Sequence, residues 1–162
     1  MRKTSHFLIR EAASHELGIV AELRGAMASE MGYDWSAYLG WQERLTEYFE
    51  ETQQSGVRQF FIACADGDVV AMFALSILED ELRPALGMLR GYADALYVKP
   101  AWRRLGIARS LVQHGIDWLR GRGCVIIRGR PGRATWTLFE SLGFLPGGEV
   151  ELDLKEAPST DT

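Results

Sequence analysis

An apolar run gives way to a helical pattern at Tyr97-Val98-Lys99-Pro100-Ala101-Trp102-Arg103-Arg104-Leu105-Gly106-Ile107-Ala108. A helix starting there exposes its first N–H groups and the positive end of its dipole, which together favour an anion. Gly106 lets the backbone approach a ligand closely, and Ala108 keeps the first turn narrow. Arg103 and Arg104 can add charge-assisted hydrogen bonds. The expected anion is a phosphate or pyrophosphate. The segment is not a P-loop, which needs Gly-Lys-Ser/Thr at the helix start, and no G-x-G-x-x-G fingerprint is present. By anatomy alone it is equally an ordinary strand–helix connection.

The elements that must hold this loop are legible from periodicity. Phe7 to Arg10 reads as a first strand. Ser14 can cap a helix to about Met27, with Leu17, Val20, Leu23 and Met27 on one side. Asp34 or Ser36 can cap a second helix to about Gln54, with Tyr38, Trp41, Leu45, Tyr48 and Phe49 at helical spacing. Gln59 to Ala65 and Val69 to Ile77 read as strands joined by an Asp66-Gly67 hairpin turn. A polar stretch from Glu79 to Gly91 precedes a strand over Tyr92 to Val98. A helix from about Ile107 to Arg122 buries Leu111, Val112, Ile116 and Leu119. Cys124 to Arg128 reads as a short buried strand and Thr135 to Leu142 as a short helix. Phe144 and Val150 to Leu154 supply the last strand material. The result is an α+β, or mixed α/β, layout. Residues 1–155 form one expected domain, and 156–162 a disordered tail.

Composition excludes several classes. The chain has 162 residues, 47% hydrophobic and 25% charged, with a formal net charge of -4. That charge argues against nucleic-acid binding through a basic surface. Cys64 and Cys124 lie in apolar runs and read as reduced core thiols. No His/Cys cluster suggests a metal. No stretch resembles a signal peptide or a membrane span, so the expected location is cytoplasmic.

Arg103-x-x-Gly106-x-Ala108, preceded by Leu96-Tyr97-Val98-x-Pro100, resembles the R/Q-x-x-G-x-G/A signature of the GNAT superfamily of N-acetyltransferases. Leu138-Phe139-Glu140-Ser141-Leu142-Gly143-Phe144 resembles that family's L-Y-E-x-L-G-F segment, and the order and separation of the two segments fit. The resemblance implies a central, mostly antiparallel twisted sheet, splayed at the coenzyme site and flanked by about four helices. It implies acetyl-CoA as cofactor. The main chain at Leu96, Tyr97 and Val98 would pair with the pantetheine arm as an added strand. The segment Arg103, Arg104, Leu105, Gly106, Ile107, Ala108, Arg109 and Ser110 would hold the pyrophosphate, chiefly through its amides.

Amine attack on a thioester needs a neutral amine, yet a lysine-type amine has a pKa of about 10.4. Asp94 is the candidate general base. It stands two and four residues before Leu96 and Val98, which places all three on one sheet face by strand alternation. The family often has an acidic residue here. Phe139 stands where many relatives have a Tyr that protonates the leaving thiolate, so that acid is lost. Ser141, Tyr97 or a water could stand in, although Ser141 should point elsewhere in the helix. The family's Asn before the short helix is also absent, and Arg128, Arg130 and Arg133 cluster in that area.

The resemblance places the acceptor near the first two helices and the meander loop. Glu30, Tyr33 and Trp35 combine carboxylate and aromatic groups that suit an amine with an apolar body. Glu79, with Asp80 and Glu81, could draw a cationic substrate. The leading expectation is acetylation of a small-molecule primary amine by direct attack in a ternary complex. Acetylation of a protein or peptide amine is one alternative, and a non-catalytic acyl-CoA-binding module is another. The acyl group could be longer than acetyl. Relatives are often dimers, so a homodimer is left open.

Overall fold

The computed structural model describes residues 6–147, and the expected strand over Val150 to Leu154 and the tail lie outside them. The chain divides into two compact units, residues 1–130 and 131–162.

The first unit is built on a sheet of β1 (Leu8–Glu11), β2 (Arg58–Ala65), β3 (Asp68–Leu78), β4 (Leu89–Val98) and β5 (Cys124–Gly129), in that spatial order. β1 to β4 are antiparallel neighbours in chain order; two α-helices lie between β1 and β2, and a two-residue turn joins β2 to β3. The Asp66-Gly67 turn has φ of 52° and 83°, the left-handed pair that joins twisted strands in a two-residue hairpin. Only β4 and β5 run parallel, because α4 (Ile107–Gly121) crosses over between them.

Each sheet face has its own helices. α1 (Leu17–Glu30) and α2 (Trp41–Gln54) cover one face, where Leu17, Val20, Leu23 and Phe49 meet Phe60, Ile62 and Met72. The Phe49 and Phe60 ring centroids are 4.6 Å apart. α4 covers the other face with Leu111, Val112 and Leu119. Its closest approach is Gly115, where an added Cβ would stand 2.6 Å from Leu75 and 2.7 Å from Phe73, both fully buried. Gly115 occupies the slot that spacing assigned to Ile116, which is only half-buried. Ala is worth about 1 kcal/mol over Gly in a helix, but overpacking costs about 1–3 kcal/mol. Because neither neighbour can yield, Gly115→Ala is expected to destabilise the fold by about 1–2 kcal/mol in urea unfolding.

Three boundaries depart from periodicity. α2 begins at Trp41, behind Gly40 in a left-handed conformation, not at Asp34 or Ser36. The Asp34 carboxylate instead accepts from the Ser36 amide and hydroxyl, closing a local turn. The polar stretch after β3 contains a short helix, α3 (Leu82–Leu86). β4 starts at Leu89, three residues early, because Arg90 pairs with Leu78 on one side and Ile126 on the other. Among the described residues β5 lies at an edge of the sheet, where a buried strand was expected, with Val125 60% exposed.

In the second unit, α5 (Arg133–Ser141) starts two residues before, and ends one residue before, the helix that periodicity gave. Phe139 packs edge-on against Phe144, with centroids 4.9 Å apart. Residues 144–147 form no strand.

Candidate active site

The sheet opens halfway along β4. β5 accompanies it from Leu89 to Ala93, and the last pair is Ala93 with Gly129. Residues 95–98 of β4 still pair with β3, whereas residues 94–98 have no strand partner on the β5 side among the described residues; the Val98 carbonyl is taken by Arg103. The remaining N–H and C=O groups on that side form a free strand edge, which is what an extended amide-bearing chain needs.

The same strand leads into the phosphate-type loop. Pro100–Trp102 makes one tight turn. Arg104 then takes φ of 64° and Gly106 φ of 83°. The amides of Arg104, Leu105 and Gly106 have no main-chain acceptor among the described residues. Ile107 and Ala108 open α4, so their N–H groups lack the partner a full preceding turn would supply. Left-handed residues among successive free amides make a concave anion nest. An added Cβ at Gly106 would meet nothing within 4 Å, so the space over the nest is open. Ile107 is 1% exposed and offers only its amide. Arg109 lies in the first turn of α4. Ser110 differs from expectation: its N–H closes the first helical bond to the Gly106 carbonyl, 3.1 Å, and is already used.

Arg103 also differs. Its Nη2 donates to both Glu30 carboxylate oxygens, at 2.9 and 2.8 Å, and its Nε donates to the Val98 carbonyl at 2.8 Å. The guanidinium lies 5.5 Å from the Tyr97 ring centre. Tyr97 donates its hydroxyl to the same Glu30, 2.8 Å. Arg103 thus ties the end of α1 to the end of β4, while Arg104 carries the loop's strained backbone. The Arg103 and Tyr97 bonds hold Glu30 below its ordinary pKa, and burial first, then Glu30, pushes Tyr97 up.

Asp94 is placed by a β-bulge. Ala74 pairs with Ala95 and Leu75 with Ala93, which leaves Asp94 as an extra residue. Strand alternation put Asp94 with Leu96 and Val98. The bulge resets it: Leu96 pairs with Phe73 on the α4 face, whereas Asp94 turns toward the α1 and α2 face. There it accepts a short hydrogen bond from the Ser76 hydroxyl. Arg58 Nε stands 3.1 Å from the Ser76 oxygen and 3.3 Å from the Asp94 carboxylate. Arg58 in turn lies over Tyr48, 5.2 Å from its ring centre. Burial is the strongest influence on Asp94 and raises its pKa; the Ser76 bond, then the charges of Arg58 and Arg24, pull the other way. A carboxyl raised toward neutrality is a better general base than a solvated one.

The acceptor-side candidates divide. Tyr33 is 61% exposed and faces solvent. Trp35 meets Trp41 edge-on at 5.3 Å, and its ring face is taken by Arg24, 5.2 Å away. Glu79 pairs with Arg83 at 2.5 Å and Asp80 with Arg90 at 2.8 Å. Glu79 is thus paired within its own segment. In the second unit, the Ser141 hydroxyl donates to the Leu138 carbonyl of its own helix, 2.6 Å.

Sequence reasoning missed Arg24, Arg58 and Ser76. Arg24 left a signal, since it follows Leu17 and Val20 by seven and four residues and therefore falls on the apolar stripe of α1. Arg58 and Ser76 left none, because their link to Asp94 spans strands and depends on register.

Comparison with known proteins places this arrangement. The Acetyltransferase (GNAT) family profile matches residues 21–144. The chain belongs to the GNAT family of acetyltransferases. A GCN5-related N-acetyltransferase from Ralstonia eutropha JMP134 superposes with a TM-score of 0.81 at 22% identity, covering 93% of this chain and 100% of the other. A predicted acetyltransferase from Clostridium acetobutylicum, solved with acetyl-CoA, gives 0.82 at 19%, covering 94% and 99%. An aminoglycoside N-acetyltransferase solved with CoA gives 0.75 at 21%, covering 97% and 99%. No curated protein matches in sequence. No helix among the described residues is long and apolar enough to cross a membrane.

Proposed function

We propose that this protein moves an acetyl group from acetyl-CoA to the primary amine of a small molecule, by direct attack in a ternary complex. One observation carries the reading: among the described residues β4 has a free edge from Asp94 to Tyr97, and the chain runs from it into an open nest of amides at Arg104, Leu105 and Gly106. The free edge suits the amides of a pantetheine arm, and the nest suits a diphosphate. Residues 1–155 act as one cytoplasmic acetyltransferase domain in this reading.

Bound acetyl-CoA supplies the activated carbonyl. Asp94 takes the proton from the incoming amine, directly or through a water, and Ser76 and Arg58 hold the carboxylate in place while it does so. Phe139 has no proton to offer and the Ser141 hydroxyl is spent on Leu138. Water is left as the proton source for a leaving thiolate whose ordinary pKa is about 8.5.

The test is to incubate the protein with acetyl-CoA and a panel of amines while following free thiol. Thiol release that depends on one amine supports the reading. Thermal stabilisation by CoA without release from any amine supports the acyl-CoA-binding module, which Phe139 keeps in play. Arg58→Met gives a sharper check on the base. Arg58 lowers the Asp94 pKa, so its removal should move the acidic limb of the kcat profile to higher pH. The unpaired carboxylate should also cost about 1–3 kcal/mol of stability at neutral pH. An unmoved limb with normal folding would exclude Asp94 as the titrating group.

A further inference from the structure

Except for Glu81, the acidic groups expected to meet a cationic acceptor are already paired. Glu30 is held by Arg103, Glu79 by Arg83, Asp80 by Arg90 and Asp94 by Arg58. On the sheet side of α1, Arg24 is a cation left without such a partner: it has no carboxylate within ion-pair distance among the described residues, and its Nη1 is buried with no hydrogen-bond partner. Burial works against its charge, and Trp35 covers one face of the guanidinium. It is close enough to Asp94 for the two charges to act on each other. Around Asp94, therefore, two guanidinium groups face one carboxylate. An incompletely compensated cation in a half-buried place is costly unless something completes it.

We infer that the acceptor carries an oxyanion, a carboxylate or a phosphate, a few atoms from its amine, and that Arg24 binds it. This rests on the acetyltransferase reading and names the substrate class within it. The amine end goes to Asp94 and the oxyanion end to the Arg24 guanidinium. A planar guanidinium suits both carboxylate and phosphate, since its N–H groups match two oxygens at once. Trp35 lies against the Arg24 guanidinium and meets Trp41 edge-on, so Arg24 is flanked by apolar surface on that side, which strengthens a charged pair. A polyamine would leave the Arg24 guanidinium without a partner, since its second charge is also positive.

The experiment uses amines matched in length and differing in the oxyanion. β-Alanine is compared with β-alaninamide, and phosphoethanolamine with ethanolamine; putrescine is the cationic control. The whole protein is assayed for thiol release from acetyl-CoA. At least one oxyanion member should exceed its neutral partner in kcat/KM by about ten- to hundredfold, the worth of one charge-assisted bond. Which pair responds separates carboxylate from phosphate. In Arg24→Gln the ratio within that pair should fall to about one, while Arg24→Lys keeps part of it. Equal rates within both pairs, or putrescine as the best acceptor, would overturn the inference and leave the acetyltransferase reading standing. The wild-type comparison does not depend on how well the variants fold. Should no amine release thiol, the acetyltransferase reading fails, and calorimetry decides the oxyanion site separately. Binding of β-alanine or phosphoethanolamine to the CoA-loaded protein, lost in Arg24→Gln, would uphold the site. Absent binding, or equal binding to the variant, would refute it.

Discussion

Asp94→Asn is expected to lower kcat at pH 7 by about two to three orders of magnitude. Asparagine keeps the shape and can still accept from Ser76 and Arg58, but it cannot take a proton. The deficit should shrink as pH rises toward the amine's own pKa of about 10.4, because unprotonated amine then needs no base. A steady-state pH series with a fixed acceptor checks both parts. A rate at pH 7 equal to the wild type would remove Asp94 from the reaction.

The same substitution has a second consequence. Burial raises the folded pKa of Asp94 above its unfolded value. The stability it contributes is fully present below the unfolded pKa and is lost as pH rises through the folded one. At neutral pH the ionised carboxylate therefore weighs against the fold. Asp94→Asn should melt within a few degrees of the wild type at pH 7, because relief of the buried carboxylate offsets the lost pairing with Arg58. A dead enzyme of nearly unchanged stability would distinguish a group kept for chemistry from one kept for packing.

Gly106→Val is the other large effect. The residue sits at φ of 83°, where a β-branched side chain costs about 1–3 kcal/mol. No protein atom stands in the way, since a Cβ there meets nothing within 4 Å. The fold should survive with a modest loss. The new side chain would project from the nest, and relief of its strain would turn the free amides of Arg104 and Leu105 away from a common anion. Coenzyme A affinity, measured calorimetrically, should fall by about a hundredfold or more, since several amide–phosphate bonds are disrupted together. Denaturant unfolding of the same sample separates the two effects. Unchanged affinity would mean that the diphosphate binds elsewhere.

Much of this was written locally. The loop from Val98 to Ala108, the helix that follows and the Asp66-Gly67 hairpin depend on residues a few positions apart. Period, turn chemistry and a helix start are all short-range properties. They determined the fold class and marked Gly106 as a candidate anion loop, and with the family resemblance they marked Asp94 as a candidate base. Boundaries went astray where a local signal competed with a neighbour. Asp34 could cap a helix, yet it closes its own turn with Ser36, and α2 waits for Gly40. Arg90 looks like loop, yet strands on both sides hold it in the sheet.

Tertiary structure alone decided which way Asp94 faces and what touches it. A bulge belongs to two strands at once, and no alternation within residues 89–98 announces it. Arg58 and Ser76 reach Asp94 because β2, β3 and β4 align in one register, across 18 residues in each step. Arg103 reads as a phosphate ligand in its motif, but Glu30, 73 residues earlier, takes it instead. The balance of charge beside Asp94 follows from those pairings. Composition counts acidic and basic residues, but only packing determines which of them cancel.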